Sequence, residues 1–144
     1  MILYADTSAM VKKYVNETGT DAVIELFAEH PLIGTALITQ AEMASALAKA
    51  IRMEWVEKQT GALAWQDFLS HWPGYLHLPV STAIVERAAS IAWRHGLRAY
   101  DSIHLACALA LREMSGEQVC FACFDRRLQE SALQEGFQIW PETE

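Results

Sequence analysis

The sequence predicts an α/β fold built on a parallel sheet, because short apolar runs alternate with longer segments of helical period along its 144 residues. The length and the 52% share of apolar residues fit one domain with a single hydrophobic core. The sequence contains no internal repeats, low-complexity tracts or linkers. We therefore predict a single domain over residues 1–144.

The apolar runs predict five strands, near residues 2–5, 33–37, 75–78, 119–124 and 137–140. The segments of helical period predict helices near residues 7–15, 20–29, 40–56, 60–71, 82–95, 101–114 and 126–134. Gly96 follows Arg94 and His95, as expected where a helix ends with cations in its last turn and a glycine just beyond. Ser81 comes two residues after Pro79 and is a suitable N-cap for the helix that follows it.

The helix predicted at 40–56 has a single polar stripe on an otherwise apolar surface. The residues of this stripe recur at spacings of three and four positions; they are Glu42, Ser45, Lys49 and Arg52. Together with the tryptophan-rich segment 55–72, this helix predicts a helical hairpin. Packing on the core of the chain and packing against another chain both remain open for its apolar surface.

The composition limits the classes of function. No apolar run approaches the roughly 20 residues that a membrane helix needs, and the N-terminal MILYADTSAM lacks the basic leader and long apolar stretch of a signal peptide. We therefore expect a soluble, cytoplasmic protein with no membrane partner. The formal net charge of -7 is unusual for a protein that binds nucleic acid, although an acidic site contributes part of it. The basic pair Arg94 and Arg98 is interpreted as solvated surface.

The three cysteines, Cys107, Cys120 and Cys123, lie in apolar segments and leave an odd count, which argues against a disulfide framework. We expect them to be reduced core residues. Cys120 and Cys123 form a CxxC motif, but no second pair or nearby histidine supplies the remaining ligands of a zinc site.

Four acidic residues fall where a predicted strand ends or where the next helix begins. Asp6 and Asp125 directly follow the first and fourth strands. Glu42 lies in the first turn after the second strand, and Asp101 opens the helix DSIHLACALAL. Because parallel strands point the same way, we expect these acids to converge at the edge where open α/β sheets bind ligands.

Each acid also has a purely structural interpretation. Asp6 and Asp125 would cap the helices that follow them, and Asp101 would favour the positive end of its own helix. Thr39-x-x-Glu42 matches a capping box. Capping does not explain, however, why four acids from four separate segments are all predicted at the same rim.

Carboxylates that crowd together repel, and some must take up protons unless a cation compensates them. Oxygen ligands without Cys or His select a hard divalent ion such as Mg²⁺ or Mn²⁺. Such an ion lowers the pKa of a bound water, orients it, and neutralises charge on a phosphodiester under in-line attack. Metal-assisted phosphodiester hydrolysis is therefore the predicted reaction class.

Two further polar residues lie close to these acids in the sequence. Ser8, two residues after Asp6, would bond a carboxylate or the scissile phosphate, or would simply begin its helix. His104, one helical turn after Asp101, is expected to bond within the helix packing rather than to bind a metal.

Four stretches resemble the PIN-domain nucleases, in the same order and over essentially the whole chain. They are YADTSAMVKKY, ITQAEMASAL, RAYDSIHLACAL and FACFDRRLQESALQEGFQIW. The size and arrangement are similar to those of the VapC-type toxins of bacterial and archaeal toxin-antitoxin pairs. The chain departs from the family pattern at Cys123. Many relatives have Thr or Ser at this position, two residues before the last acid, so this chain lacks a hydroxyl there.

The resemblance implies a three-layer α/β/α fold with a five-stranded parallel sheet flanked by helices. It also implies an Mg²⁺- or Mn²⁺-dependent endoribonuclease, the toxin of a type II pair, that forms a homodimer and binds a small VapB-type antitoxin over its active-site cleft. Carried over residue by residue, the catalytic acids are Asp6, Glu42, Asp101 and Asp125, and Ser8 positions the substrate. Asp6 and Asp101 would bind the metal directly, and Glu42 and Asp125 directly or through water.

Two other classes of function were weighed against a nuclease. The alternative is a PIN-fold module with weak catalysis that binds RNA or a protein, which Cys123 and the acidic charge favour and the intact set of four acids opposes. Nucleotide chemistry of the Rossmann or receiver type is disfavoured, because the sequence has no GxGxxG or GxxxxGK[ST] loop to bind phosphates.

Overall fold

A computed structural model of the chain describes residues 1–142. Its strands are β1 (Ile2–Ala5), β2 (Ile33–Ala36), β3 (Leu76–Leu78), β4 (Val119–Ala122) and β5 (Gln138–Trp140). Its α-helices are α1 (Thr7–Tyr14), α2 (Thr20–Ala28), α3 (Thr39–Arg52), α4 (Lys58–His71), α5 (Thr82–His95), α6 (Ala99–Ser115) and α7 (Arg126–Gln134). Each strand and helix predicted from the sequence is present.

The strands form one parallel sheet with the order β3-β2-β1-β4-β5. In the central strand β1, Leu3 pairs with Ile33 of β2 on one side and with Cys120 of β4 on the other. The chain moves outward from β1 through β2 to β3, and then returns to the other side of β1 as β4. The boundary between β1 and β4 is therefore the topological switch point, where such sheets bind ligands.

Helices cover both faces of this sheet. Ile2 and Tyr4 of β1 face one core, whereas Leu3 and Ala5 face the other, as the period of two in a strand requires. The first core is completed by α5, α6 and α7, with residues such as Ile91, Leu105 and Leu128. The second is completed by α1 to α4, with residues such as Met10, Val23, Met43 and Phe68. The predicted three-layer α/β/α arrangement is confirmed.

The predicted helical hairpin is formed by α3 and α4, which pack against each other. A Cβ added to Gly61 would lie 2.6 Å from Cδ1 of Ile51, so the glycine allows this close approach. The helix predicted at 40–56 ends at Arg52, because Glu54 turns the chain with a φ of 59°. Packing of the hairpin within the chain is thus confirmed.

The helix that carries Asp101 packs on the sheet at Gly34. A Cβ on Gly34 of β2 would lie 2.8 Å from Cδ2 of Leu111 in α6. The preceding helix α5 has both predicted boundaries, since Ser81 Oγ accepts a hydrogen bond from the backbone N–H of Ile84 and Gly96 ends the helix at a φ of 67°. Helix α6 then begins at Ala99, three residues after Gly96.

All three cysteines are buried and free, as predicted for reduced core residues. Burial raises the pKa of the Cys107 thiol to about 12 and that of Cys120 to about 11. Across residues 1–142, the structure has no helix that combines the length and the apolar character needed to cross a membrane.

Candidate active site

The four predicted acids meet in one pocket of about 300 Å³ at the carboxyl edge of the sheet. Asp6 follows β1 and Asp125 follows β4, so these two flank the switch point. Glu42 and Asp101 enter from the first turns of α3 and α6. The other residues that line the pocket are Thr7, Ser8, Arg98, His104 and Phe124. The predicted convergence is therefore confirmed.

Asp6 is 4% exposed and caps α1, as one interpretation of the sequence proposed. Its Oδ1 accepts hydrogen bonds from Ser8 Oγ at 2.7 Å and from the backbone N–H of Ala9 at 3.0 Å. Burial and the neighbouring charge of Asp101 raise the pKa of Asp6 to about 6, although His104, Ser8 and Ala9 act in the opposite direction. The cap therefore uses only one oxygen of the Asp6 carboxylate. A nearby cation would stabilise the negative charge of this buried group.

Glu42 is held by a network rather than by a capping box. Its Oε1 accepts hydrogen bonds from Thr7 Oγ1 at 2.7 Å and from His104 Nε2 at 2.8 Å. Burial tends to raise the pKa of Glu42, but the hydrogen bonds and charge of its neighbours lower it below the usual value. The capping-box interpretation is wrong, because the Thr39 hydroxyl is buried and bonds to that of Thr35.

His104 connects Glu42 to the core. It is 2% exposed, and its Nδ1 lies 2.8 Å from the hydroxyl oxygen of Tyr4. Because an ionised carboxylate only accepts, Nε2 donates to Glu42. Both ring nitrogens are engaged, so His104 orients Glu42, in agreement with the expectation that it bonds within the packing.

Asp101 and Asp125 share one cation, Arg98. The Arg98 Nε donates to Asp101 Oδ2 at 3.0 Å, and its terminal nitrogen donates to Asp125 Oδ2 at 3.3 Å. The hydrogen bond to Asp101 and both negative charges raise the pKa of Arg98. Asp125 Oδ1 caps α7 by accepting from the backbone N–H of Leu128 at 2.9 Å, as the capping interpretation predicted.

The pairing of Arg98 with two of the acids is not predicted by the sequence, which indicates only solvated surface at this residue. Its side chain is indeed 77% exposed, but it reaches into the acid pocket. The spacing of three residues between Arg98 and Asp101 at the start of a helix was the available signal. Its contact with Asp125 is long-range, and no local pattern indicates it.

Ser8 connects the loops after β1 and β4. Its hydroxyl donates to Asp6 and accepts a 2.9 Å hydrogen bond from the backbone N–H of Phe124. That N–H does not pair with a neighbouring strand, and β4 ends at Ala122 rather than extending over 119–124 as predicted. The expectation that Ser8 bonds a carboxylate is confirmed, and its contact with a substrate stays a prediction.

Cys123 contacts the backbone of Asp125. Its thiol is buried and lies 3.6 Å from the backbone carbonyl oxygen of Asp125. Burial raises the pKa of this thiol well above its usual range. Both oxygens of the Asp125 carboxylate have other partners, since Oδ1 accepts from the backbone N–H of Leu128 and Oδ2 accepts from Arg98.

The donor chemistry of the pocket suits a hard divalent ion, because four carboxylates supply oxygen ligands alone. The side chains are arranged around a different cation, however. In the described part of the chain, no group of three or more His, Cys, Asp or Glu residues stands close enough to hold an ion. Arg98 pairs with two of the four acids, so it competes with a metal ion for Asp101 and Asp125.

The comparisons with known proteins agree with this fold. The family model of the PIN domain matches residues 3–134, and the chain belongs to the PIN domain family. Among curated proteins, the chain is 29% identical to Ribonuclease VapC45 of Mycobacterium tuberculosis over 140 residues, which cover 97% of this chain and 95% of that protein.

Solved structures share the fold at lower identity. Mycobacterium tuberculosis VapC20, described as a sarcin-ricin loop cleaving toxin, superimposes with a TM-score of 0.62 and 20% identity, covering 94% of this chain and 95% of that one. A toxin-antitoxin complex from Klebsiella pneumoniae contains a chain with a TM-score of 0.55 and 18% identity, covering 83% and 84%. The predicted five-stranded PIN-like fold is confirmed.

Proposed function

We propose that the chain is a metal-dependent endoribonuclease that hydrolyses RNA phosphodiester bonds and acts as the toxin of a type II toxin-antitoxin pair. The observation that carries the proposal is the buried carboxylate of Asp6, which uses one oxygen for its cap and shares a pocket with three other acids. Membership of the PIN domain family and the similarity to Ribonuclease VapC45 support the reaction and its substrate class.

In this proposal the cofactor is Mg²⁺ or Mn²⁺, bound directly by Asp6 and Asp101 and directly or through water by Glu42 and Asp125. The ion supplies activation of water and neutralisation of the phosphate charge. His104 and Thr7 keep the Glu42 carboxylate oriented toward the pocket before RNA arrives. Such preorganisation avoids reorganising a charged side chain during the reaction.

The experiment is RNA cleavage by the purified chain with Mg²⁺, with Mn²⁺ and with EDTA. We expect cleavage with either ion and none with EDTA. Asp6→Asn should abolish cleavage without unfolding the domain, because Asn keeps the oxygen that caps α1. The matched control is Asp67→Asn, which neutralises an exposed acid of α4 outside the pocket. Cleavage that continues undiminished in EDTA would rule the mechanism out.

The same proposal includes two partners, a second copy of the chain and a small VapB-type antitoxin. The shared fold with a chain of the Klebsiella pneumoniae toxin-antitoxin complex supports an antitoxin. Coexpression with a short reading frame adjacent to the gene should yield a copurifying complex that no longer cleaves RNA. Light scattering of the chain alone should give twice the 16.1 kDa mass of one copy.

A second candidate is a PIN-fold module with little or no turnover that binds RNA or a protein. It is favoured by the pairing of Arg98 with Asp101 and Asp125, because an internal cation already balances part of the acidic charge. Calorimetric titration with Mn²⁺ separates the two functions. A folded protein that binds no divalent ion would be the module, whereas saturable binding favours the nuclease.

A further inference from the structure

Another cavity, which we call the lysine cavity, lies at the edge of the sheet opposite the acid pocket. Its walls include Ile33, where β2 begins, and Tyr75, which directly precedes β3, so it belongs to the amino edge of the sheet. Its volume is about 370 Å³, which falls within the range of small-molecule sites. It shares no lining residue with the acid pocket.

Lys13 is an unpaired cation on the wall of the lysine cavity. Its neighbour Lys12 pairs with Glu17 at 3.2 Å, whereas no carboxylate in the described part of the chain forms an ion pair with Lys13. The Lys13 ammonium donates two long hydrogen bonds, to the hydroxyl of Tyr75 at 3.2 Å and to that of Tyr14 at 3.5 Å. Among the described residues, one of its three N–H donors therefore has no acceptor.

Aromatic rings hold the Lys13 ammonium beside the cavity. Its Nζ lies 5.1 Å from the ring centroid of Tyr14, 5.0 Å from that of Phe27 and 5.7 Å from that of Tyr75. Such contacts stabilise a cation without neutralising its charge. Burial lowers the pKa of Lys13, because a half-buried ammonium without a counterion is costly. The side chain is thus ordered in advance, and a bound anion would remove this cost.

His71 supplies a second nitrogen at the same cavity. Its Nδ1 lies 2.8 Å from the hydroxyl oxygen of Tyr14, and its Nε2 makes no hydrogen bond to the residues that the structure describes. No described acid lines the cavity, although the chain has 18 Asp and Glu residues against 11 Lys and Arg. Burial, Tyr75 and the charge of Asp67 raise the pKa of Tyr14, yet Asp67 itself does not line the cavity. The cavity therefore suits an anion.

We propose that the lysine cavity binds a phosphate group, as the free ion or as part of a small molecule, between Lys13 and His71. Both side chains contact the hydroxyl of Tyr14, so one phosphate can reach both. A phosphate group carries up to two negative charges and several acceptor oxygens, so it neutralises the ammonium and also accepts from a protonated Nε2 of His71. Pro31 and Ile33 add apolar surface that suits an organic substituent on the phosphate.

The first test locates the anion by an NMR titration of backbone amides with inorganic phosphate. EDTA is present, so that no divalent ion brings phosphate to the acid pocket. We expect saturable shifts at Lys13 and in residues 70–75, and unchanged amides at Asp101 and Asp125. Shifts centred on Arg98 and the acid pocket would place the phosphate there and overturn the proposal, as would the absence of saturable shifts.

The second test compares variants by the same titration with AMP and with adenosine. We expect AMP to bind and adenosine to bind at least about tenfold more weakly, because adenosine lacks the phosphate. Lys13→Met should weaken AMP binding at least about tenfold, since Met keeps an apolar stem but removes the charge. Lys12→Met is the matched control, because it removes a neighbouring charge that does not line the cavity.

His71→Ala changes an exposed position and keeps the test decisive where Lys13→Met does not fold. We expect it to weaken AMP binding several-fold. Tighter binding of AMP than of inorganic phosphate would assign the cavity to a phosphorylated small molecule, and equal or weaker binding of AMP would assign it to the free ion. Equal affinity of AMP and adenosine would overturn the phosphate site, as would AMP affinity that neither Lys13→Met nor His71→Ala changes.

Discussion

The two halves of the acid pocket are held in different ways. The inner pair, Asp6 and Glu42, is held by buried and part-buried hydrogen bonds from hydroxyl groups, a backbone N–H and His104. The outer pair, Asp101 and Asp125, is held together by the exposed guanidinium of Arg98. Buried networks are costly to break, whereas exposed ion pairs contribute little to stability. The inner pair is therefore preorganised, and the outer pair is free to exchange its cation.

The pKa values of the two acids of the inner pair are shifted in opposite directions. Burial raises the pKa of Asp6 to about 6, whereas the hydrogen bonds and charge around Glu42 lower its pKa despite its burial. Glu42 is thus ionised throughout the neutral range, and Asp6 becomes ionised only near neutrality. A pocket that ionises fully only above about pH 6 should bind cations better there.

The largest expected effect concerns the free energy of unfolding and Asp6. Its pKa is about 6 in the folded protein and 3.8 in an unfolded chain, so between these values the folded state binds more protons. The free energy of unfolding should therefore fall as pH rises through this window, by on the order of 3 kcal/mol, and this contribution should be constant above it. Asp6→Asn should lack this fall and be more stable than the wild type at pH 7.5, as measured by urea unfolding in EDTA.

Other groups titrate in the same range, so the informative quantity is the difference between the wild type and Asp6→Asn. Asp67→Asn, an exposed acid, is the control and should follow the wild type at each pH. A difference between wild type and Asp6→Asn that does not change from pH 4 to pH 7.5 would show that the folded protein does not penalise the Asp6 charge.

The next largest effect should come from His104. His104→Ala leaves the buried Tyr4 hydroxyl without its partner and Glu42 with the hydrogen bond from Thr7 alone, and it opens a cavity. We expect a loss of about 2–4 kcal/mol in the free energy of unfolding and a lower kcat. Tyr4→Phe is the matched control, because it removes one hydroxyl and should cost about 1 kcal/mol. A His104→Ala protein as stable as Tyr4→Phe would show that the inner pair is not held by this network.

A smaller effect is expected for the outer pair. Arg98→Gln frees Asp101 and Asp125, so we expect Mn²⁺ affinity to rise several-fold in a calorimetric titration, with the urea midpoint unchanged. Arg94→Gln is the control, since this arginine pairs with Glu135 away from the pocket. Equal Mn²⁺ affinity in wild type and Arg98→Gln would mean that Arg98 does not compete with the ion.

The smallest effect should come from Cys123. Cys123→Ser restores the hydroxyl that many relatives carry, yet the thiol at this position contacts the backbone carbonyl of Asp125, and both oxygens of the Asp125 carboxylate already have partners. We therefore expect kcat and Mn²⁺ affinity within about twofold of the wild type. A large gain in either quantity would show that the orientation of Asp125 depends on residue 123 after all.

The sequence predicted the acid pocket because the positions of the acids follow from strand ends. Asp6 and Asp125 directly follow apolar runs, and parallel strands bring such positions to one edge. Capping and site formation proved compatible, since Asp6 and Asp125 each use Oδ1 for the cap. Hydrophobic periodicity was sufficient to predict every strand and helix. The end of α3 was not predicted, because it depends on a left-handed turn at Glu54 that no periodicity indicates.

The groups that hold the acids could not be predicted in the same way. Glu42 is held by Thr7, 35 residues earlier, and by His104, 62 residues later. Such pairs depend on the final packing of α1, α3 and α6. A glutamate in the first turn of a helix also fits a capping motif, so the sequence alone does not distinguish the two roles. The local motif Thr39-x-x-Glu42 was misleading because Thr39 is drawn into the core by Thr35.

The most direct test of the acid pocket as a divalent-ion site is a calorimetric titration of Mn²⁺ into the purified chain at pH 7.5, without RNA or any partner. We predict saturable binding by the wild type and by Asp67→Asn, and its loss in Asp6→Asn. A folded wild-type protein that shows no saturable binding of Mn²⁺, or an Asp6→Asn protein that binds it equally well, would contradict the account.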